Sequence, residues 1–395
     1  MKIGIDASTW ANTRGFGRFT RELVSAMLQQ PSSHEFVLFF DDESPQNLNA
    51  RVVRINPHRR VTEAAIADGS RSAGDLLRFS LAAARARLDV MFYPAVYSWF
   101  PCPPGLPNLL TLHDAIAEHF PQMVFPQMRA RAFWNVKVRL ACFQASRFLT
   151  VSQAAKAEIV AYMKLDPNLI DLTTEAPKPG FRPLQPVARG DTVRSEIRAR
   201  FNLAGPSRYF CYVGGFAPHK NVLGLVNAFA ALDAAAGADV HLLLVGDRAS
   251  QGFSSNIGEL DRMIAKHPGL AGRVHFTGFV SDALLADIYA TSIALVMPSF
   301  AEGFGLPAIE AMACGAPVIA SAQGSLAEVV GSAGLLIDPH QPAQIAAAMA
   351  QVAASPELAS DLAARSVARA ALFSWDEAAR LALSALERCV EPQRR

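Results

Sequence analysis

The pattern that most limits what this chain can fold into is a repeated alternation of short, wholly apolar runs with longer helical stretches. In the first half the runs are KIGID, EFVLFF, DVMFYP, NLLTLHD, RFLTVS and LIDLTT; in the second they are YFCYVGG, VHLLLVGD, VHFTGF, IALVMPS, APVIAS and GLLID. A strand with one face in water alternates apolar and polar residues, whereas a strand covered on both faces is apolar throughout. Helical periodicity between most of the runs, for example at 19–28, 156–163, 222–232 and 284–290, supplies the covers. Two consecutive sets predict an α/β chain of two Rossmann-like, doubly wound parallel-sheet domains. At 395 residues the chain is also too long for one ordinary core.

The seam between the sets is EAPKPGFRPLQPVARGD, with four prolines and little periodicity, as expected of a linker. The expected boundaries are 1–178 for the first domain, 179–190 for the linker and 191–373 for the second domain. The stretch FSWDEAARLALSALERC reads as a helix with Ser374 at its N-cap and Asp376 and Glu377 in its first turn.

Composition excludes several classes. Hydrophobic residues make up 51% and charged residues 18%, which fits a folded α/β protein. Net charge is only +2, which argues against nucleic acid as the main partner. No run approaches the roughly 18 apolar residues of a membrane span, and MKIGIDAS leads straight into a strand without a signal-peptide core. Five scattered cysteines, never in CxxC spacing, argue against a zinc site or disulfide framework, and the cytoplasm is the simplest compartment.

In open α/β sheets, ligands bind beyond the carboxyl ends of the strands, and two such domains facing each other would make a deep cleft. Four segments follow strands with suitable chemistry. In STWANTRGFGRFTRELV, Gly15 and Gly17 let backbone approach a ligand at the start of a helix near Arg18, or they form an ordinary strand-to-helix loop. In LLTLHDAIAEHF, His113 and Asp114 end a strand; the imidazole either meets a sugar hydroxyl or a proton, or simply closes the strand. In YVGGFAPHKNVLGLV, Gly214 and Gly215 precede Lys220, a point charge suited to a diphosphate or else a solvated loop lysine, with Asn221 as the expected helix N-cap.

The fourth segment, FAEGFGLPAIEAMACG, puts a glycine-rich bend between a strand and a helix that Pro307 opens and Gly315 closes. Amides around Gly305 and Leu306 then form an anion site at the positive end of the helix. Carboxylates beside a diphosphate would repel it, so Glu302 and Glu310 are expected to face hydroxyls, Glu310 those of a ribose and Glu302 nearer the reacting end. Nearby, Ser325 and Glu328 have capping-box spacing just after Gly324.

Taken in order, RGFGRFTRELV, LHD, LTVSQAAKAEI, YVGGFAPHKN, VHFTGFVSDALLADIYATS, EGFGLPAIEAMACGAPVIAS and GSLAEVVGSAGLLIDP resemble the retaining glycosyltransferases of family 4, with their glutamate–seven–glutamate signature and GT-B fold. The resemblance covers almost the whole chain. It implies a nucleotide-sugar donor held mainly by the second domain and an acceptor held mainly by the first. Carried over by position, Glu310 would bind the ribose hydroxyls, and Glu302 with the amides of Gly303, Phe304, Gly305 and Leu306 would contact donor sugar and phosphate. Lys220 would neutralise the diphosphate beside Gly215, Gly15 or Gly17 would approach the phosphate from the other side, and His113 would contact the donor sugar. Backbone around Val280 would read the base, and the last helix, within 374–395, would cross back onto the first domain. Asp114 and Ser325 are further candidates. Many relatives carry an arginine where GGFAPHKN has Phe216 and His219, which leaves Arg14, Arg18 or His219 to supply a second positive charge, or a single charge to suffice.

The expected reaction is hexose transfer with retention, by departure and attack on one face, with the leaving diphosphate taking the acceptor's proton. Two carboxylates about 5–5.5 Å apart would instead suggest double displacement. No DxD-like acidic pair follows a strand at a convincing position, so neither metal nor cofactor is expected. GDP-mannose is the expected donor, with UDP-sugars close behind, and the acceptor is expected to be a saccharide or lipid-linked saccharide. The alternatives are a sugar-nucleotide epimerase, a phosphorylase of related fold, and a silent carbohydrate-binding protein.

One feature lies outside this scheme. Charge divides as +4 in residues 1–180 and −2 in residues 181–395, with Arg129, Arg131, Lys137, Arg139 and Arg147 gathered among Phe133, Trp134 and Phe143. Either this patch lies on an anionic membrane, at the inner face of the cytoplasmic membrane, or it is a helix packed through Phe133, Val136 and Leu140 with its arginines in solvent.

Overall fold

The computed structural model describes residues 1–12, 15–41, 44–57, 71–185, 190–203, 206–236, 239–248 and 254–391. They form two compact units, Met1–Glu175 with the stretch from Ser374 onward, and Ala176–Phe373.

The first unit holds β1 (Lys2–Asp6), β2 (Glu35–Phe40), β3 (Arg51–Arg54), β4 (Val90–Tyr93), β5 (Asn108–Thr111), β6 (Arg147–Thr150) and β7 (Ile170–Leu172). They pair in parallel in the order β3-β2-β1-β4-β5-β6-β7. Every apolar run of the first half is a strand here. The strand β3 has no such signal: RVVR carries two apolar residues between arginines, and it is an edge strand paired only with β2, so little of it needs covering.

The second unit holds β8 (Arg208–Val213), β9 (Val240–Val245), β10 (Val274–Gly278), β11 (Leu295–Met297), β12 (Val318–Ser321) and β13 (Leu335–Ile337). Their order, β10-β9-β8-β11-β12-β13, repeats that of the first sheet, and all pairings are again parallel. In each sheet the chain runs outward one way from the first strand to the third, then returns to the other side of the first strand and runs the opposite way. The crevices at that reversal lie beyond β1 and β4, and beyond β8 and β11.

Helices bury their apolar stripes on these sheets. Gly15–Gln29 sets Phe19, Leu23, Val24 and Met27 against the first sheet, and Trp375–Val390 packs beside it in the same unit. The Ser374 hydroxyl accepts from the Glu377 amide at 3.1 Å, as its N-cap position requires, and the Thr173 hydroxyl donates to the Ala378 carbonyl at 3.0 Å. In the second unit Phe210, Leu242 and Leu244 of the sheet meet Leu225, Phe229 and Met349 from helices Val222–Ala236 and Pro342–Ala354.

Candidate active site

At the reversal point of the second sheet, adjacent strands end in bare backbone. Gly214, after β8, has φ 154°, and a Cβ there would lie 2.8 Å from the Tyr212 hydroxyl. A Cβ on Gly246, after β9, would fall 2.0 Å from the Gly214 carbonyl oxygen. The Tyr212 hydroxyl donates to the Gly215 carbonyl at 2.5 Å and fixes the exposed Gly215 above this floor.

The loops leaving β8 and β11 are stitched together by three hydrogen bonds. The Asn221 side-chain amide donates to the Pro298 carbonyl at 3.1 Å and also to Pro339, beyond β13, at 2.7 Å. The Phe300 amide donates to the His219 carbonyl at 2.8 Å. The Lys220 ammonium donates to Glu302 Oε2 at 2.6 Å, while Glu302 Oε1 accepts from the Ser299 hydroxyl at 2.8 Å. Asn221, with φ 54°, takes the left-handed conformation that Asn tolerates better than most residues, so its amide braces three strand ends. Glu302 is only 8% exposed, and its carboxylate is satisfied by Lys220 and Ser299. Burial, with the Glu302 charge adding to it, holds the Tyr212 phenol well above its usual range.

His219 does not supply the second positive charge suggested for it. Burial, and then the adjacent Lys220 ammonium, push its imidazole down to about 3, so it is neutral wherever the protein would work.

The bend after Glu302 is built for close approach. Gly305 has φ 99° and caps the helix Leu306–Ala313; a Cβ there would sit 2.6 Å from a Leu326 methyl. Pro307 occupies the first turn and has no amide proton, and the Ala308 amide donates to the Gly305 carbonyl at 2.9 Å, which leaves the Leu306 amide as the first-turn donor with no partner within the helix. Phe304 turns its ring inward, edge-on to Phe373 at 5.7 Å, and the Leu306 side chain is buried too, so these residues offer backbone rather than side chain. Gly315, with φ 77°, ends the helix. Glu310 is 1% exposed in this structure, so the ribose contact expected of it requires that the carboxylate become reachable.

Ser325 departs from its expected part. It is the first residue of helix Ser325–Val330 rather than its cap, which is Gly324, so the capping box with Glu328 does not form. Its buried hydroxyl donates to the Glu302 carbonyl at 2.7 Å and braces the bend from behind. Val280 lies between β10 and helix Asp282–Thr291 with its side chain buried, and the neighbouring Phe279 is exposed.

In the first unit the helix begins at Gly15, earlier than the sequence suggests, which places both glycines in its first turn. Gly15 is exposed there. Gly17 is buried, and a Cβ on it would meet the Asn12 carbonyl oxygen at 2.1 Å, so its bareness serves the loop's own packing. Arg18 is half-buried on the same helix, and Arg14 lies outside the described residues.

His113 follows β5. Its Nε2 stands 3.1 Å from the Pro94 carbonyl beyond β4, and since a carbonyl only accepts, Nε2 carries a proton. Its Nδ1 faces Glu175 Oε1 at 3.6 Å, and Phe19 packs edge-on to the ring at 4.6 Å. Glu175 is a partner that the sequence places at the start of the linker, although it too follows a strand end. Asp114 accepts from the Ile116 amide at 2.9 Å and turns the chain into the next short helix. Among the described residues, no three His, Cys, Asp or Glu side chains group as a metal site would.

Comparison with known proteins gives this geometry a family. Residues 193–368 match the family described as Glycosyl transferases group 1, and residues 13–173 match Glycosyltransferase Family 4. The O-antigen chain mannosyltransferase B of Escherichia coli is 29% identical over 367 residues, 92% of this chain and 93% of that protein. The D-inositol 3-phosphate glycosyltransferase of Rhodococcus opacus (strain B4) is 33% identical over 239 residues, 60% of this chain but only 52% of that protein. Anabaena HepE, solved in complex with UDP and glucose, shares the fold with a TM-score of 0.74 at 20% identity, over 98% of this chain and 99% of that one. The chain belongs to the family 4 glycosyltransferases of GT-B fold, and is an enzyme of the hexosyltransferase class.

Proposed function

We propose that the enzyme transfers mannose from GDP-mannose to a saccharide or lipid-linked saccharide in glycoconjugate assembly, with retention at the anomeric carbon and without a metal ion. The carrying observation is the Lys220–Glu302 pair, which bridges the loops of β8 and β11 where the strand order reverses. The name of the E. coli relative, aligned over 93% of its length, favours mannose. The UDP and glucose bound by the Anabaena protein keep a UDP-sugar as the second reading.

In this reading the donor diphosphate lies against Lys220 and the Leu306 amide at the start of helix Leu306–Ala313. The ammonium, already positioned by Glu302, acquires a second anionic partner as charge develops on the leaving group. That is preorganised electrostatic stabilisation, which needs no reorganisation at the moment of reaction. Double displacement would require a carboxylate free to reach the anomeric carbon. Glu302 has its oxygens on Lys220 and Ser299, and Glu310 is buried, so neither is poised as a nucleophile. Departure and attack on one face, with the diphosphate accepting the acceptor's proton, fits this arrangement better.

A thermal-shift screen against GDP, UDP and ADP, followed by product analysis with the matching sugar nucleotide, tests the proposal. GDP should raise the melting temperature most, because a ligand stabilises in proportion to its affinity for the native state. A shift with UDP alone would replace mannose by a UDP-sugar. An inverted anomeric configuration would remove the mechanism, and loss of turnover in EDTA would remove metal independence.

A further inference from the structure

The helix Met128–Gln144 is inside out relative to one of the two readings of its sequence, the one that packs it through Phe133, Val136 and Leu140. It packs through Ala130, Trp134, Val138 and Ala141, all buried. Phe133, Val136 and Leu140 are exposed together with Met128 and Phe143, over a range from 46% for Phe133 to 87% for Phe143. At about 100° per residue these five fall within an arc of roughly 140° along the whole helix, a length of about 25 Å. Five large apolar side chains on one face is more than scattered surface hydrophobicity.

The charge on that face has one sign. The helix carries Arg129, Arg131, Lys137 and Arg139 and no acidic residue. Arg129 and Arg139 are exposed within the apolar arc. Arg131 is half-buried outside that arc, and the other two members of the basic cluster are engaged elsewhere. The Lys137 ammonium turns inward and donates to the Tyr97 carbonyl; burial, and then the Arg71 guanidinium, push it down to about 7. Arg147 lies beyond the helix, on β6, and pairs with Asp171 at 2.7 Å.

We propose that this face rests on an anionic lipid bilayer, with Met128, Phe133, Val136, Leu140 and Phe143 at the headgroup–acyl boundary and Arg129 and Arg139 at the phosphates. An interfacial helix has this combination of an apolar face and interspersed cations. Among the described residues no helix is long and apolar enough to cross a membrane, so the helix lies on the surface rather than spanning it. A second copy of the chain is a poorer occupant, since a self-interface would bring these arginines together with no carboxylate on the helix to neutralise them. The crossover runs from the carboxyl end of β5 back to the amino end of β6, so the Met128 end lies nearer the sheet edge that carries His113. A lipid-linked acceptor held in the same bilayer would be delivered to that edge. The inference does not depend on the donor reading, because vesicle binding is measured without turnover.

The test is cosedimentation with phosphatidylcholine vesicles, with and without about one third phosphatidylglycerol, at roughly 0.05 and 0.5 M salt. The protein should pellet with the anionic vesicles, much less with the neutral ones, and less at high salt. Arg129→Glu with Arg139→Glu should weaken partitioning by roughly 25-fold or more, at about fivefold per lost cation. Phe133→Ser with Phe143→Ser should weaken it at both salt concentrations. All four side chains are exposed, so both variants should keep the wild-type melting temperature. Failure to bind anionic vesicles at low salt, or unchanged binding in both variants, would overturn the proposal. So would a dimer on a sizing column that the phenylalanine variant abolishes, since that would assign the face to a second copy.

Discussion

The Lys220 ammonium donates to the Glu302 carboxylate at 2.6 Å, and the two residues come from loops leaving the neighbouring strands β8 and β11. Separate ligands were expected for them, phosphate for one and sugar for the other. As a pair they are coupled, and removing either changes the other. Lys220→Ala should lower kcat by about two to three orders of magnitude, the range for losing a preorganised group that meets developing charge. It should also leave Glu302, buried, with Ser299 as its main partner and cost about 1–3 kcal/mol of stability. A double-mutant cycle with Lys220→Met and Glu302→Gln should return a coupling energy of about 1 kcal/mol or more. Turnover near wild type in Lys220→Ala would dismiss the mechanism, and strictly additive melting shifts would dismiss the coupling.

Glu310 lies one turn into helix Leu306–Ala313 and is almost wholly buried. If it serves the ribose, Glu310→Gln should weaken nucleotide binding by about tenfold, the worth of a charge-assisted hydrogen bond, while the melting temperature of the free protein stays close to wild type. Calorimetry with GDP and a thermal melt separate the outcomes. Unchanged affinity with a lower melting temperature would make Glu310 a structural carboxylate.

Gly15 and Gly17 look equivalent in sequence and are not. Gly17→Ala would drive a methyl into the Asn12 carbonyl, which is backbone and cannot swing away, so the melting temperature should fall by several degrees, about 2–4 °C per kcal/mol. Gly15→Ala adds a methyl at an exposed helix start. It should leave stability unchanged, with any effect confined to KM and kcat. Equal melting temperatures for the two variants would count against the packing role of Gly17.

The strands were legible wherever both faces of a sheet are covered, because the covering leaves an uninterrupted apolar run. Among the described residues, only RVVR at the edge escaped. The strand-end rule likewise located Lys220, Glu302 and His113. Their partners were not legible, because each partnership depends on strand order. Lys220 meets Glu302 only because β11 inserts beside β8, and His113 meets Pro94 only because β4 lies beside β5. Asn221 was legible as the residue that opens a helix, but not as the brace between Pro298 and Pro339. The helix Met128–Gln144 failed for a different reason. It has two apolar stripes, one through Trp134, Val138 and Ala141 and one through Phe133, Val136 and Leu140, and periodicity alone does not say which one faces the core.

Away from the site, His241 on β9 and His275 on β10 meet ring to ring, Nδ1 to Nε2 at 2.9 Å. One nitrogen must donate and the other accept, so at least one ring is neutral. Burial, then His275 and Arg273, hold His241 below its ordinary value, and burial holds His275 down as well. The unfolded chain therefore takes up protons near pH 6.5 that the folded pair resists. Stability from this pair is complete above about pH 6.5 and is lost as the pH falls below it. Glu158 acts in the opposite sense: burial, helped by Asp114, pushes its carboxyl up to about 7, so its contribution is present below the unfolded value near 4.5 and is lost as the pH rises through about 7. The wild-type profile sums these effects with those of other shifted groups such as His219, and comparison with His275→Gln isolates the pair. Between about pH 7.5 and 5.5 the melting temperature of the wild type should fall relative to that of His275→Gln. Parallel profiles would show that the two imidazoles titrate in the folded protein as freely as in the unfolded chain.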